Sequence, residues 1–165
     1  MVMILKGLGD VLRAHGDVMQ ADRLCVATAQ ASAELLADYG ITLNAVGGQV
    51  SDIAAPEGTG ELRTILCHKG YIIPLGGHYL IGATYHRDGD MLAVTDAHHA
   101  ENLAELESVL PGWGAGRVIR GRSALRATTP DRLPYIGRLD DGLYVSTGHG
   151  SRGLLSAPLG AEMIA

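Results

Sequence analysis

The glycine-rich run at residues 148–153, Gly-His-Gly-Ser-Arg-Gly, is the part of the sequence best suited to chemistry. It follows the apolar segment 143–147 and precedes leucines at helical spacing. A loop between a strand and a helix presents backbone N–H groups, and the helix dipole adds roughly half a positive charge there. Such a loop can hold an anion or the electron-rich edge of a ring. Glycine loops of this kind are common, so the loop alone leaves a ligand and a plain turn both open.

Other reactive side chains have simpler structural explanations. His98 and His99 fall in the first turn of a predicted helix, where we expect exposure to solvent rather than metal binding. Cys25 and Cys67 have neither a CxxC partner nor a histidine at ligand spacing. We therefore expect two free, buried thiols, no metal site and, by default, a cytoplasmic location.

Six arginines are concentrated between residues 117 and 138, and Asp131 is the only acidic residue in that segment. The whole chain carries a net charge of −5, which is not typical of a dedicated nucleic-acid binder. A solvated strand edge explains the segment, and a phosphate-facing patch is the alternative. The six residues are Arg117, Arg120, Arg122, Arg126, Arg132 and Arg138.

Length and composition indicate a globular protein with a real core. The 165 residues are 47% hydrophobic and 19% charged, which argues against disorder. The apolar start at residues 1–5 is interrupted by Lys6, long before the roughly 20 residues of a membrane span. It also lacks the features of a signal peptide, so we expect no membrane segment.

The order of predicted elements is an α/β piece, an antiparallel insert and a second α/β piece. Compact apolar runs followed by helical spacing are typical of α/β units, and short strands separated by glycine turns are typical of antiparallel hairpins. The outer pieces comprise a helix over 4–13, a strand over 24–28, a helix over 32–39 closed by Gly40, a strand over 143–147 and a helix that begins near Ser156 or bends at Pro158. The insert comprises strands over 41–51, 62–67, 71–75, 79–85 and 118–125 and a helix capped by Asp96 that stops at Pro111. The expected domains are 1–40, 41–126 and 127–165.

Two C-terminal segments carry a family resemblance. Residues 125–137 (LRATTPDRLPYIG) and 142–158 (GLYVSTGHGSRGLLSAP) resemble the C-terminal signature of D-amino-acid-oxidase-like flavoproteins, a family that includes glycine and sarcosine oxidases. With residues 71–74 and 81–87, they are most similar to the oxidoreductase domain of tRNA 5-methylaminomethyl-2-thiouridine biosynthesis enzymes. The resemblance covers 21–165. It implies FAD as cofactor, a partial Rossmann-like FAD-binding domain formed by the outer pieces, and an antiparallel substrate domain.

The resemblance also implies a reaction and a partner. A secondary amine on the 5-carboxymethylaminomethyl group of a tRNA wobble uridine would be oxidised by hydride transfer from the adjacent carbon to the flavin. The imine would then hydrolyse, and the carboxymethyl arm would leave as glyoxylate. An oxidase of small amines or amino acids, of glycine or sarcosine oxidase type, is an alternative. A non-catalytic truncated remnant is another.

Site residues follow from the resemblance position by position. Arg126 matches an arginine near the flavin ring, and Tyr71 matches a substrate-side tyrosine. Ser151 stands where glycine oxidases have a carboxylate-binding arginine, which favours the tRNA-modifying branch. Arg152 then either pairs with the substrate carboxylate or faces solvent. The implied flavin-contacting loop consists of Gly148, His149, Gly150, Ser151, Arg152, Gly153 and Leu154.

A pyrophosphate-binding fingerprint is missing from the sequence. FAD proteins of this kind carry GxGxxG after a first strand and an acidic residue about 20 positions later. The nearest run, residues 6–10 (KGLGD), lacks the third glycine. We therefore expect a fragment that is inactive alone and whose partner is a missing N-terminal FAD-binding half.

Overall fold

The structure, a computed structural model, describes residues 12–14, 17–19 and 21–165. The described part contains ten strands and three α-helices. In chain order these are β1 (Leu12–Ala14), β2 (Asp17–Met19), β3 (Leu24–Val26), α1 (Ser32–Leu35), β4 (Asn44–Ala54), β5 (Leu66–Cys67), β6 (Tyr71–Pro74), β7 (Tyr79–Gly82), α2 (Asp96–Val109), β8 (Arg117–Thr128), β9 (Tyr135–Asp140), β10 (Leu143–Thr147) and α3 (Gly153–Ile164).

The chain divides into two compact units. The split unit is formed by Met1–Ala45 together with Arg126–Ala165, and the insert unit is formed by Val46–Leu125. Most of the helix predicted over 4–13 lies outside the described residues. Its last two positions, Leu12 and Arg13, belong instead to β1, which pairs with β2 in an antiparallel hairpin, so the helix prediction is wrong there.

The split unit is built on a three-stranded sheet in the order β3-β10-β9. Strand β10 runs parallel to β3 and antiparallel to β9, and the prediction of a strand over 143–147 is confirmed. The alternating inward side chains of β3 and β10 form the core with residues of the intervening segment. This core consists of Val26, Leu36, Ile41, Leu143 and Val145.

The helical segment that follows β3 is irregular. Helix α1 is only one turn long and is flanked by the 3-10 turns Ala29–Ala31 and Ala37–Tyr39. Gly40 ends the segment in a left-handed conformation with φ of 70°, as the sequence predicts. One continuous helix over 32–39 is therefore wrong, because the backbone tightens at both ends of that single turn.

The insert unit is built on a five-stranded sheet in the order β5-β6-β7-β4-β8. Neighbouring strands from β5 to β4 are antiparallel, which confirms the predicted hairpins, and β8 joins the sheet as predicted. Helix α2 packs on one face of the sheet. The core between them is formed by Ile53, Ile72, Tyr79, Ile81, Leu106 and Trp113.

Thr95, not Asp96, caps helix α2. The backbone of Thr95 is extended, and its side chain accepts a hydrogen bond of 3.2 Å from the N–H of His98. A residue that caps must precede the first helical residue, and Asp96 already has helical geometry as the first residue of α2. The helix ends at Val109, and Leu110, which is already extended, precedes Pro111.

The second face of this sheet is defined by strand register. Cross-strand partners share a face, and side chains alternate along each strand. The pairs Tyr71↔Gly82, Val50↔Gly82 and Asp52↔Leu80 therefore lie on the face opposite Ile72 and Ile53. We call this surface the Asp52 face; it comprises Val50, Asp52, Tyr71, Ile73, Leu80 and Gly82.

Both cysteines are free but exposed, so the expectation of buried thiols is wrong. Cys25 alternates with the inward Leu24 and Val26 on β3, which is an edge strand of its sheet, and so it points away from the core. Cys67 lies on β5, at the edge of the other sheet. Among the described residues, no helix is both long enough and apolar enough to cross a membrane.

Candidate functional site

The loop after β10 depends on glycine for its shape. Gly148 and Gly150 have φ of 75° and 57°, a region that disfavours L side chains. A Cβ at Gly148 would lie 2.6 Å from Cγ2 of Thr129, a buried residue. The backbone can therefore turn and approach its neighbours closely at this point only because no side chain is present.

The loop leads directly into α3 through a 3-10 turn, Gly150–Arg152. The helix begins at Gly153 and contains Pro158, so a start near Ser156 is wrong. No side chain caps the first amides of either the 3-10 turn or the helix within the described residues. These N–H groups, with the positive end of the helix dipole, are suited to an electron-rich group.

His149 stabilises the loop through its side chain. Its Nδ1 lies 2.8 Å from Oγ of Ser156, and its Nε2 lies 3.0 Å from Oγ of Ser146. Because the Ser156 hydroxyl donates to the Arg152 carbonyl at 3.0 Å, Nδ1 donates to Ser156, and in the neutral ring Nε2 accepts from Ser146. Both ring nitrogens are thus engaged. The backbone of the loop, rather than the imidazole, is the part able to contact a ligand.

Strand β8 brings Arg126 to the same loop. Thr128 forms an isolated antiparallel bridge with His149, and its hydroxyl donates to the Asn44 carbonyl at 3.1 Å. Arg126 is half-buried and lies two residues earlier, on the same side of the strand as Thr128. The structure therefore assembles Arg126 and the loop within one unit.

The remaining candidate residues differ in their surroundings. Arg152 and Ser151 are exposed, and Arg152 forms no ion pair with a described residue. Leu154 is 99% exposed. Tyr71 belongs to the insert unit, where it is half-buried on the Asp52 face.

A hydrogen bond adjusts the electrostatics of the turn before β9. The backbone N–H of Leu133 donates to Asp131 at 3.0 Å and lowers the pKa of that carboxyl below its ordinary value. Asp131 therefore remains ionised in the middle of the arginine-rich segment. Arg138, in β9, pairs with Asp141 at 3.1 Å on the surface.

Sequence reasoning missed a buried polar cluster at the start of α2. The rings of His86 and His98 stack with centroids 4.3 Å apart, and His99 Nδ1 lies 2.7 Å from Oγ of Ser51. The expectation that His98 and His99 are solvent-exposed is wrong, because their helix packs against β4. Asn102 on the same helix donates to the Gln49 carbonyl at 3.1 Å. In the described part of the chain, no group of three or more metal-ligating side chains is placed to bind a metal ion.

Sequence reasoning also missed Asp52. This residue lies within the nearly continuous buried run of β4, is 4% exposed, and accepts a hydrogen bond from Nε of Arg120. The available signal was an acidic residue within a run of otherwise uncharged strand residues. A buried acid requires a partner, so this position predicts a pairing cation.

The chain matches a family model described as FAD dependent oxidoreductase (DAO) over residues 4–165. It belongs to this family of FAD-dependent oxidoreductases. The predicted fold class, a partial Rossmann-like domain with an antiparallel insert, is confirmed by the sheets above and by this membership. The residues fit the family's cofactor, because the uncapped amides of the glycine loop are donors suited to the electron-rich edge of a flavin.

Curated relatives include the tRNA 5-methylaminomethyl-2-thiouridine biosynthesis bifunctional protein MnmC. The protein from Caulobacter vibrioides is 44% identical over 92% of this chain and 25% of its own length. The one from Chromobacterium violaceum is 35% identical over 92% of this chain and 28% of its own length. The chain thus spans about a quarter of the length of these relatives.

Solved structures are similar over almost the whole chain. Glycine oxidase from Geobacillus kaustophilus superposes with a TM-score of 0.79 at 29% identity, over 95% of this chain and 44% of its own. Iminodiacetate oxidase from Chelativorans sp. gives a TM-score of 0.75 at 24% identity, over 91% of this chain and 43% of its own. The resemblance to this family of flavoproteins is therefore confirmed.

Proposed function

We propose that this chain is the substrate domain and part of the FAD domain of an oxidoreductase that removes the carboxymethyl group from 5-carboxymethylaminomethyl(-2-thio)uridine in tRNA. The observation that carries the proposal is the similarity to MnmC proteins, which reaches 44% identity over 92% of the chain. The uncapped glycine loop supports it, because it offers donors where a flavin needs them.

The proposed roles follow from the chemistry of amine oxidation. Bound FAD would accept a hydride from the carbon next to the amine nitrogen. Negative charge on the flavin edge would be stabilised by amides of residues 148–154 other than that of Arg152, which donates to the His149 carbonyl, and by the start of α3. Arg126 would add a positive charge beside that loop, and Tyr71 would line the substrate side.

Arg152 is proposed to bind the carboxylate of the carboxymethyl arm. It is exposed at the N-terminus of α3, and its charge is not neutralised by any described residue. A guanidinium can hold a carboxylate through two parallel hydrogen bonds. Replacement by Gln should therefore raise KM for the modified tRNA more than it lowers kcat.

FAD binding is proposed to require an additional chain segment. Helix α3 exposes four large apolar side chains, Leu154, Leu155, Leu159 and Met163. An exposed apolar helix face of this kind marks an interaction site. A half that carries the pyrophosphate fingerprint would cover this face, and the chain alone would bind FAD weakly and be inactive.

Reconstitution tests the proposal directly. The chain should be co-expressed with the N-terminal part of the oxidoreductase domain of the Caulobacter vibrioides MnmC protein, and flavin absorbance of the purified complex measured. We expect stoichiometric flavin, reduced anaerobically by tRNA carrying the carboxymethylaminomethyl group. Reduction by free glycine or sarcosine instead would overturn the tRNA assignment.

An oxidase of small amines is the second candidate, favoured by the TM-score of 0.79 to a glycine oxidase. Comparing flavin reduction by modified tRNA with reduction by free glycine or sarcosine separates the two candidates. A complex that forms but shows no flavin absorbance would support a non-catalytic remnant.

Arg126→Ala tests the proposed flavin site in the reconstituted protein. We expect slower flavin reduction at unchanged flavin content, because a positive charge beside the ring is lost. Arg138→Ala is the matched control, since Arg138 is exposed and pairs with Asp141. Equal reduction rates in the two variants would remove Arg126 from the site.

A further inference from the structure

Strand β8 carries three exposed arginines of the insert unit, of which Arg120 and Arg122 share one side of the strand. Arg117, Arg120 and Arg122 are all exposed, and β8 itself contains no acidic residue. The outer edge of β8 pairs with no strand among the described residues. Within that same part of the chain, Arg117 and Arg122 form no ion pair, and Arg120 pairs only with Asp52.

The pair of Arg120 and Asp52 is asymmetric. The Arg120 side chain is 73% exposed, whereas Asp52 is buried beneath it and uses one carboxylate oxygen to accept from Nε. The other oxygen of Asp52 is buried without a hydrogen-bond partner among the described residues. Burying a carboxylate is costly unless it is paired. Because Asp52 engages only Nε, both terminal NH₂ groups of the exposed Arg120 side chain are left to donate to a ligand.

A cavity of about 410 Å³ lies beside this pair. Arg120 and Arg122 contribute positive charge to its lining, while Leu75, Leu80 and Val50 contribute apolar surface. Binding sites for small molecules or single ligand groups are typically about 300 to 1,000 Å³. The combination of guanidinium groups and apolar surface suits a phosphate with its attached sugar or base.

We infer that Arg120 and Arg122 bind neighbouring backbone phosphates of an RNA substrate, with Asp52 as a positioning residue for Arg120. This inference rests on the proposed function, in which the substrate is a tRNA. Residues two apart on a strand are separated by roughly 6.6 to 6.8 Å. That separation suits two successive phosphates better than the two oxygens of a single carboxylate.

Binding of a fluorescein-labelled, unmodified anticodon stem-loop RNA tests the inference. Affinity should be measured by fluorescence anisotropy over a range of salt concentrations, for the wild-type chain and for Arg120→Gln and Arg122→Gln. Each substitution should weaken binding about tenfold at low salt. Each should also reduce the slope of log affinity against log salt by about 0.7 to 0.9, because one phosphate contact is lost.

Arg63→Gln is the matched control for charge. Arg63 is an exposed arginine of the same unit, paired with Glu61 at 2.9 Å outside the Asp52 face. Its loss should leave the salt slope unchanged. If Arg120→Gln and Arg122→Gln bind like Arg63→Gln, the inference is wrong. The fluorescence of Trp113, buried in the same unit, verifies that each variant is folded.

Asp52→Asn separates positioning from net charge. The substitution removes a negative charge beneath the arginines, so attraction by net charge alone would strengthen RNA binding. If Asp52 orients Arg120, binding should instead weaken by at least about threefold. Tighter binding by a folded Asp52→Asn variant would overturn the positioning role.

The outcome is distinguishable from that of the proposed function. RNA binding is read without flavin, whereas the oxidoreductase function is read by flavin reduction in the reconstituted protein. Reduction by modified tRNA without an effect of the arginine substitutions would reject this site alone. Arginine-dependent RNA binding without reduction would reject the proposed reaction and retain the site.

Discussion

Helices α2 and α3 have similar lengths but opposite surfaces. Helix α2 packs Leu106, which is 1% exposed, against the five-stranded sheet and turns acids and alanines to solvent. Helix α3 buries only Gly160 and leaves its large apolar side chains exposed, including Leu154 at 99%. The first helix completes the core of its unit, whereas the second has one face packed and one face available.

The two units differ in how fully their helices are packed. The insert unit has a sheet, a covering helix and a core that includes Trp113. The split unit has a sheet of three strands, with α3 held close to it where Gly160 meets Ile136 and Ser146. The exposed face of α3 is where further chain is proposed to pack. Four pairs of substitutions test this comparison. Three pairs make the same change in two environments, and the remaining pair introduces valine at two neighbouring positions of α3.

Truncating a leucine in each helix should give the largest difference in the free energy of unfolding between two paired variants. Leu106→Ala should lower the free energy of unfolding by about 2 to 5 kcal/mol, because it leaves a cavity in the core. Leu154→Ala should change it by less than about 0.5 kcal/mol, because Leu154 is exposed. Urea unfolding followed by Trp113 fluorescence and by far-UV circular dichroism measures both. Equal losses would show that the α3 face is already packed.

Gly148→Ala should be the next most disruptive. The new Cβ would require a left-handed conformation and would lie 2.6 Å from Thr129, which together should cost about 2 to 3 kcal/mol. Gly76→Ala in the insert unit is the control, with φ of 67° and no atom within 4 Å of the new Cβ. It should cost only about 1 kcal/mol. Thermal unfolding by circular dichroism compares the two, and a smaller loss for Gly148→Ala would contradict close packing of the loop.

Gly160→Val tests how tightly α3 lies on its sheet. A Cβ there would already be 3.0 Å from Cδ1 of Ile136, so a branched side chain should cost about 1 to 3 kcal/mol. Ala161→Val, at an exposed position of the same helix, should cost only about 0.5 kcal/mol through helix propensity. Hydrogen exchange of the β9 and β10 amides resolves the change within the split unit. Similar protection in both variants would count against the close contact.

Glu107→Gln should give the smallest effect and one that depends on pH. The N–H groups of Gly112 and Gly114 donate to Glu107 and lower its pKa from the ordinary 4.5. A carboxyl whose pKa is lowered on folding stabilises the fold at pH values above its unfolded-state pKa. This contribution is lost as the pH falls through its folded-state pKa. The variant should therefore be less stable at neutral pH, and the difference should shrink as the pH falls below 4.5 and disappear below the folded-state pKa.

Urea midpoints between neutral and acidic pH measure this effect. Glu101→Gln is the control, since Glu101 is exposed on the same helix. A difference between Glu107→Gln and wild type that persists unchanged at acidic pH would contradict the role of the carboxylate.

Local patterns predicted most of the elements, and the exceptions have physical causes. Strand β9 was missed because its sequence, residues 135–140 (YIGRLD), contains a glycine with φ of 138° and does not alternate cleanly. The pairing of β9 with β10 also shifts register between Leu143 and Tyr144, and a regular alternation of side chains cannot predict such an irregularity. Of the two alternatives for α3, a start near Ser156 is wrong, because the helix begins at Gly153 and continues through Pro158.

The candidate site was predictable only in its local part. The strand, loop and helix around Gly148 follow from neighbouring residues, and so does the family resemblance. The pairing of Asp52 with Arg120 joins residues 68 positions apart, and the stacking of His86 on His98 depends on how α2 meets the sheet. The assignment of Arg126, Arg152 and Tyr71 to catalysis stays a prediction.

By itself, the sequence determined the local conformations, because hydrophobic spacing and glycine positions act within a few residues. It also determined the family, through motifs that are contiguous in the chain. Only the tertiary structure decided which polar groups are buried together and which apolar side chains stay exposed. Strand register and helix packing set those contacts, and both depend on residues far apart in sequence.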